Sequence, residues 1–267
     1  MPHIKINGAR LYYERHGAGP ETILFAHGLL MSGRMFDNQV DALKNRYQCI
    51  TFDYRGQGRS EVTADGYDMD TLTADAAALI RSFECAPCHF LGLSMGGFVG
   101  MRLAIRSPEL IKSLMLLETT ADPEPKENIG RYRRMNFVAR WISLSLVATP
   151  VMKIMFGRKF LEDSSRALLR ADLRRRILSN HRVGISRAVT GVITRQGVYE
   201  HLDRITTPTL IVVGDQDVAT GPDTAVRLHA RIRGSMLRII PGAGHSSSIE
   251  EPEAVNAAID EFLNSLC

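Results

Sequence analysis

His89-Phe90-Leu91-Gly92-Leu93-Ser94-Met95-Gly96-Gly97-Phe98 sets a serine between glycines, at Gly92-x-Ser94-x-Gly96, directly after one apolar run and before another. The run ending at Leu93 reads as a strand, and Met95 onward reads as a helix. Ser94 therefore falls on a strand-to-helix turn, where a Cβ at Gly92 or Gly96 would collide with neighbouring backbone. Such a turn pushes the hydroxyl out at the positive end of the following helix. A motif with so few fixed positions recurs by chance, so its meaning depends on the rest of the chain.

Working outward, Asn7-Gly8 between alternating apolar residues signals a hairpin. Apolar runs at 22–28, 47–53, 88–94 and 111–118 then alternate with helical patterns near 35–45, 70–83 and 95–107. The alternation pauses after Thr120 and resumes with a run at 207–217, a helix over 223–233, a run at 235–245 and a last helix over 252–266. Strands alternating with helices predict an α/β fold with a mostly parallel, eight-stranded sheet covered on both faces. The intervening segment is itself helical in pattern, over 128–148 and 164–180. The expected organisation is a core of residues 1–120 and 206–267 carrying an inserted helical cap, 121–205. The cap would cover the strand carboxyl ends, where ligands bind in such sheets.

Composition excludes several classes. The chain has 267 residues, 45% hydrophobic and 23% charged, as in ordinary globular proteins rather than disordered or fibrous ones. No basic region followed by an apolar stretch opens it, so a cytoplasmic location is expected. The most apolar stretch, 137–156, is broken by Arg140, Pro150 and Lys153 and falls short of the roughly 20 apolar residues of a membrane span. Cys49, Cys85, Cys88 and Cys267 are too few and scattered for a disulfide scaffold. Cys85-Ala-Pro-Cys88 has redox spacing, but it closes a helix and precedes a strand, the reverse of the redox context, and reads as an inert loop. Only His89 lies near it, so no metal site is expected. Charge is uneven: residues 121–204 hold 17 Lys/Arg against 8 Asp/Glu, the remainder 16 against 21. Those cations are not interleaved with aromatics on a nucleic-acid module, so they read as a solvated helical face and no nucleic-acid partner is expected.

A serine nucleophile needs a base and an acid. His245 leaves a late strand through Pro241-Gly242-Ala243-Gly244, the position expected of a base. Asp215 and Asp217 follow the preceding strand, giving the chain order Ser, Asp, His. Asp217 is the better acid, because Asp215 follows Gly214 so closely that its side chain serves the turn. The oxyanion needs two backbone donors, expected from Met95, after the nucleophile, and from Leu29, after His27-Gly28. His27 and Gly28 themselves read as scaffold.

With His27-Gly28-Leu29, Asp53-x-Arg55-Gly56-x-Gly58-x-Ser60, Gly92-x-Ser94-x-Gly96, Gly214-x-x-Asp217 and Gly244-His245 in order, the chain resembles the α/β-hydrolase superfamily over nearly its whole length. Gln57 stands where that family usually has histidine, a change expected to affect loop packing only. Residues 92–104, 121–125 and 241–255 are most similar to the branch of 3-oxoadipate enol-lactonases, small carboxylesterases and cofactor-free haloperoxidases. The resemblance implies a serine hydrolase that cleaves a small-molecule carboxylic ester or lactone through an acyl-enzyme, without metal or organic cofactor. Serine at position 94 argues against dehalogenases and epoxide hydrolases, whose nucleophile there is aspartate. Carbon–carbon bond hydrolysis, perhydrolysis, or slow-turnover ligand reception on the same fold stay open. In the cap, Trp141 and Phe156 are the expected substrate-binding residues, with most of their apolar neighbours docking the cap on the sheet. Arg131, Arg133 or Arg134 turned inward would favour a carboxylate-bearing lactone. Neutral medium-chain or cyclic esters are preferred, because long arginines on helices usually point to solvent.

Overall fold

Asn7 and Gly8 both take positive φ, 44° and 80°, and the chain folds back there from β1 (His3–Ile6) into β2 (Ala9–His16). The computed structural model describes residues 2–266, so Met1 and Cys267 lie outside it. The core then alternates through β3 (Thr22–Ala26), α1 (Asp37–Leu43), β4 (Gln48–Phe52), α2 (Met69–Ser82), β5 (Cys88–Leu93), α3 (Met95–Arg106) and β6 (Ile111–Leu117). Inserted helices follow: α4 (Lys126–Trp141), α5 (Ser145–Met155), α6 (Arg158–Glu162), α7 (Ala167–Leu178) and α8 (Arg182–Ile193). The alternation ends with β7 (Thr209–Gly214), α9 (Pro222–Arg231), β8 (Met236–Ile240), α10 (Ser247–Glu250) and α11 (Pro252–Asn264).

The strands form one eight-stranded sheet in the order β1-β2-β4-β3-β5-β6-β7-β8. β2 pairs antiparallel with β1 and β4, and every pair from β4 to β8 is parallel. β3, β5 and β7 are buried along their whole length, which explains their unbroken apolar runs. Alternate residues serve opposite faces. Leu24 and Ala26 join the core under α2 and α3, while Ile23 and Phe25 join the core under α1 and α11. The strand order reverses beside β3, which carries β4 on one edge and β5 on the other. That switch point opens a crevice at the carboxyl ends of β3 and β5, where Gly28 and Ser94 lie.

The insertion departs from expectation in two places. The helical pattern over 128–148 divides at Ile142–Leu144 into α4 and α5, and α8 forms where Gly184 and Gly191 weaken the helical signal. Both glycines are needed for packing. A Cβ on Gly184 would lie 2.1 Å from the Gly56 carbonyl oxygen, and one on Gly191 would lie 1.9 Å from that of Tyr67. Among the described residues no helix is long and apolar enough to cross a membrane. Cys49, Cys85 and Cys88 are free thiols.

Candidate active site

Ser94 takes φ 52°, ψ −110° at the junction of β5 and α3, a conformation rare for a residue with a Cβ. Its surroundings impose it. The Ser94 N–H donates to Leu117 O at 2.8 Å, and its carbonyl accepts from Phe98 N at 3.0 Å and Thr119 Oγ1 at 2.8 Å. A Cβ on Gly92 would approach Gly96 O to 2.3 Å, and one on Gly96 would approach Ala26 O to 2.0 Å. With the first helical bond closed by Phe98, the N–H groups of the first turn of α3, Met95 among them, have no intrahelical acceptor.

His245 Nε2 lies 2.9 Å from Ser94 Oγ, and His245 Nδ1 lies 2.9 Å from Asp217 Oδ2. The facing carboxylate makes Nδ1 the protonated nitrogen and leaves Nε2 to accept from the serine hydroxyl. Asp217 also accepts from Ala219 N at 2.8 Å, Thr220 N at 3.2 Å and Thr220 Oγ1 at 2.9 Å. Burial raises the Asp217 carboxyl, but the His245 charge and these donors outweigh it and hold it below its usual range. Burial likewise opposes a charge on His245, yet Asp217 prevails and raises the imidazole above its ordinary 6.5. Asp215 turns elsewhere: its Oδ1 accepts from Gly242 N at 2.7 Å, serving the turn after β8.

Leu29 lines the cavity that Ser94 and His245 also line. The loop between β3 and α1 is tied by hydrogen bonds to the segment that follows β4. His27 Nε2 accepts from Tyr54 N at 2.9 Å, and Asp53 accepts from Gly33 N and Arg59 N, both at 2.8 Å. Gln57 spans the crevice. Its Oε1 accepts from Leu30 N at 2.8 Å, while its Nε2 reaches Met95 Sδ at 3.9 Å. Leu30 is held at φ 69°. Gln57 thus contacts both segments from which oxyanion donors were expected, the loop after β3 and the start of α3.

Above Ser94 and His245 lies a cavity of about 340 Å³, walled by Leu29, Leu30 and Phe98 from the core and by Met135, Ala139, Leu144, Val147, Val151 and Ile154 from the inserted helices. Its polar end carries two arginines, each neutralised. Arg195 pairs with Glu124 at 2.8 Å, and Arg227 pairs with Asp122 at 2.9 Å.

Residues 21–252 match the family defined by the α/β hydrolase fold. The chain belongs to the α/β-hydrolase family. It is 30% identical to the AB hydrolase superfamily protein YisY of Bacillus subtilis, over 96% of each chain. Among solved structures it is similar to a thermophilic esterase from Thermogutta terrifontis, with TM-score 0.92, 26% identity and coverage of 100% and 99% of the two chains. It is equally similar to the enol-lactonase of Burkholderia xenovorans LB400, with TM-score 0.92, 26% identity and coverage of 98% and 100%.

In this α/β hydrolase the two expected cap residues lie away from the cavity. Trp141 is 65% exposed, with the Arg140 guanidinium 4.5 Å above its ring. Ala139 faces the cavity, and a residue two positions on points to the opposite side of the helix. Phe156 leaves α5 in extended backbone and stacks on Phe160 at 5.0 Å in the core beneath. Arg131, Arg133 and Arg134 are all exposed. Two buried carboxyls behind His245 had no sequence signal. Glu250 accepts from Gly157 N at 2.8 Å, Gly244 N at 3.0 Å and Ser246 N at 3.0 Å, joining the His245 loop to the insertion. Glu118, at φ 42° after β6, is driven well above the carboxylate range by burial, with Asp217 and Glu250 adding to the shift.

Proposed function

We propose that this hydrolase cleaves neutral carboxylic esters or lactones through an acyl-enzyme on Ser94. The observation that carries this reading is the continuous hydrogen-bonded series Asp217–His245–Ser94 opening into an apolar cavity. In the reaction, His245 Nε2 takes the Ser94 proton as Oγ attacks the substrate carbonyl, and Asp217 stabilises the imidazolium. The carbonyl oxygen becomes an oxyanion that accepts from the Leu29 and Met95 N–H groups. His245 then gives its proton to the leaving alkoxide, which departs as alcohol or, for a lactone, stays tethered. Water, deprotonated by His245, attacks the acyl carbon and releases the acid and Ser94.

Charge favours a neutral acyl group. Arg195 and Arg227 at the cavity wall are matched by Glu124 and Asp122, so a substrate carboxylate would have to displace an existing partner. The esterase and the enol-lactonase among its structural neighbours support acyl chemistry at this class of site.

A serine-directed fluorophosphonate should label the protein at one site, and peptide mapping should find it on Ser94. Ser94→Ala should abolish labelling and lower turnover of any accepted nitrophenyl ester by several orders of magnitude, since members of such a unit act together. Labelling elsewhere, or normal turnover by Ser94→Ala, overturns the reading.

A further inference from the structure

The outer side of α4 and α5 differs from the rest of the surface. Phe137, Trp141, Ile142 and Leu146 are 60%, 65%, 57% and 62% exposed, four large apolar side chains within ten residues. Phe137 and Trp141 are one helical turn apart on one face. Arg133 and Arg134 lie one turn before Phe137, and Arg140 covers the Trp141 ring. From Lys126 to Met155 the chain holds Lys126, Arg131, Arg133, Arg134, Arg140 and Lys153 against Glu127 alone. None of these six cations pairs with a carboxylate among the described residues. Clustered exposed apolar residues mark an interaction surface, and this one is ringed by uncompensated positive charge.

We infer that this face docks on an anionic lipid surface. Aromatic and aliphatic side chains would enter the headgroup boundary, while the arginines extend their charged ends to lipid phosphates. A second copy of the chain fits less well. A two-fold dimer sets the same patch against itself, which here brings Arg133, Arg134 and Arg140 near the same three cations of the other copy. The inner sides of α4 and α5 wall the cavity through Met135, Ala139, Val147 and Val151, so docking would bring the apolar cavity to the lipid boundary. The surface stands on its own observations, independent of the ester-cleavage reading.

Trp141 is the only tryptophan in the sequence, so tryptophan emission, excited at wavelengths its seven tyrosines do not absorb, reports on this face alone. Mixed phosphatidylcholine–phosphatidylglycerol vesicles should shift that emission to the blue, and pure phosphatidylcholine vesicles should leave it in place. Salt at about 1 M, where charges are screened beyond roughly 3 Å, should reverse most of the shift. The double variant Arg133→Gln/Arg134→Gln should bind anionic vesicles about thirtyfold more weakly, at about fivefold per arginine. Leu146→Ser should weaken binding about tenfold. Both variants should hydrolyse a soluble short-chain ester at the wild-type rate. Absence of a blue shift with anionic vesicles overturns the inference, as does equal, salt-insensitive binding to both vesicle types. A concentration-dependent dimer in sedimentation velocity that Leu146→Ser abolishes also overturns it, assigning the face to a second copy.

Discussion

The loops at the strand carboxyl ends and the helices inserted between β6 and β7 meet at one cavity but are held by different forces. In the loops, buried polar groups have named partners: His27 with Tyr54, Asp53 with Gly33 and Arg59, Asp217 with Ala219 and Thr220. Across the cavity, α4 and α5 contribute mainly aliphatic surface, with Leu144, Val147 and Ala139 packed together against Ile185. Directional bonds fix positions to tenths of an ångström, whereas apolar packing fixes a volume and tolerates exchange of one hydrocarbon for another. On the proposed reaction, geometry would therefore belong to the loops and substrate fit to the helices.

The widest test of that division is Asp217→Asn, expected to lower turnover about 10⁴-fold with KM little changed. Asp215→Asn, which only loosens a turn, should cost far less. The opposite ranking in purified, folded variants would move the acid to Asp215. The same pair of proteins gives a pH test. Asp217 holds the His245 imidazole above 6.5, so the acid limb of the wild-type kcat/KM profile should lie above that value. In Asp217→Asn burial remains without its opposing carboxylate, and the limb should move to lower pH. A limb that stays put would separate His245 from the titration.

Gln57→Ala should lower kcat about tenfold, less than the 10²–10³-fold loss typical of removing an oxyanion donor outright, because it frees the Leu29–Leu30 loop without deleting an N–H. KM should hardly move. A change confined to KM would place Gln57 with the cavity wall instead of the reaction geometry.

Smallest per step is the effect of the helices. Each added acyl methylene should raise kcat/KM about fourfold until the cavity is full, following about 0.8 kcal/mol of burial per CH₂. Ala139→Leu should bring that limit to shorter chains while leaving acetate ester turnover intact. A matched half-ester bearing a free carboxylate should be the poorer substrate. A salt-sensitive preference for the half-ester would show that Arg195 or Arg227 exchanges its protein partner for substrate.

The same division explains what could be read from the sequence. Strand ends carry local signs: glycines where backbones touch, a serine between them, an aspartate three positions past Gly214 and a histidine after Gly244. Those signs suffice for the sheet, its switch point and the residues that converge there. Trp141 lies outside the cavity because α4 is apolar on two sides, with Met135 and Ala139 inward and Phe137 and Trp141 outward, and Phe156 lies outside it because the chain turns extended after α5 and buries that ring against Phe160. Apolar character alone does not choose between those sides. The contacts of Gln57, and Glu118 and Glu250 altogether, were illegible for a different reason. Their contacts join distant segments, Gln57 to Leu30 and Glu250 to Gly157, and no local pattern encodes such a meeting.

Glu250 also has a mechanical consequence. One carboxylate binds Gly157 at the start of α6 together with Gly244 and Ser246 on either side of His245, and a Cβ on Gly244 would already lie 2.1 Å from Gly157 N. Lifting α6 would strand the buried Gly157 N–H, at about 1–3 kcal/mol, and take one of three donors from the carboxylate that also holds the His245 loop. The α6 end of the insertion is therefore the fixed jamb of the doorway. The far side, where α4 and α5 rest on interchangeable hydrocarbon, lacks such a tie to the His245 loop, so a change of packing there is expected to leave the His245–Ser94 distance intact.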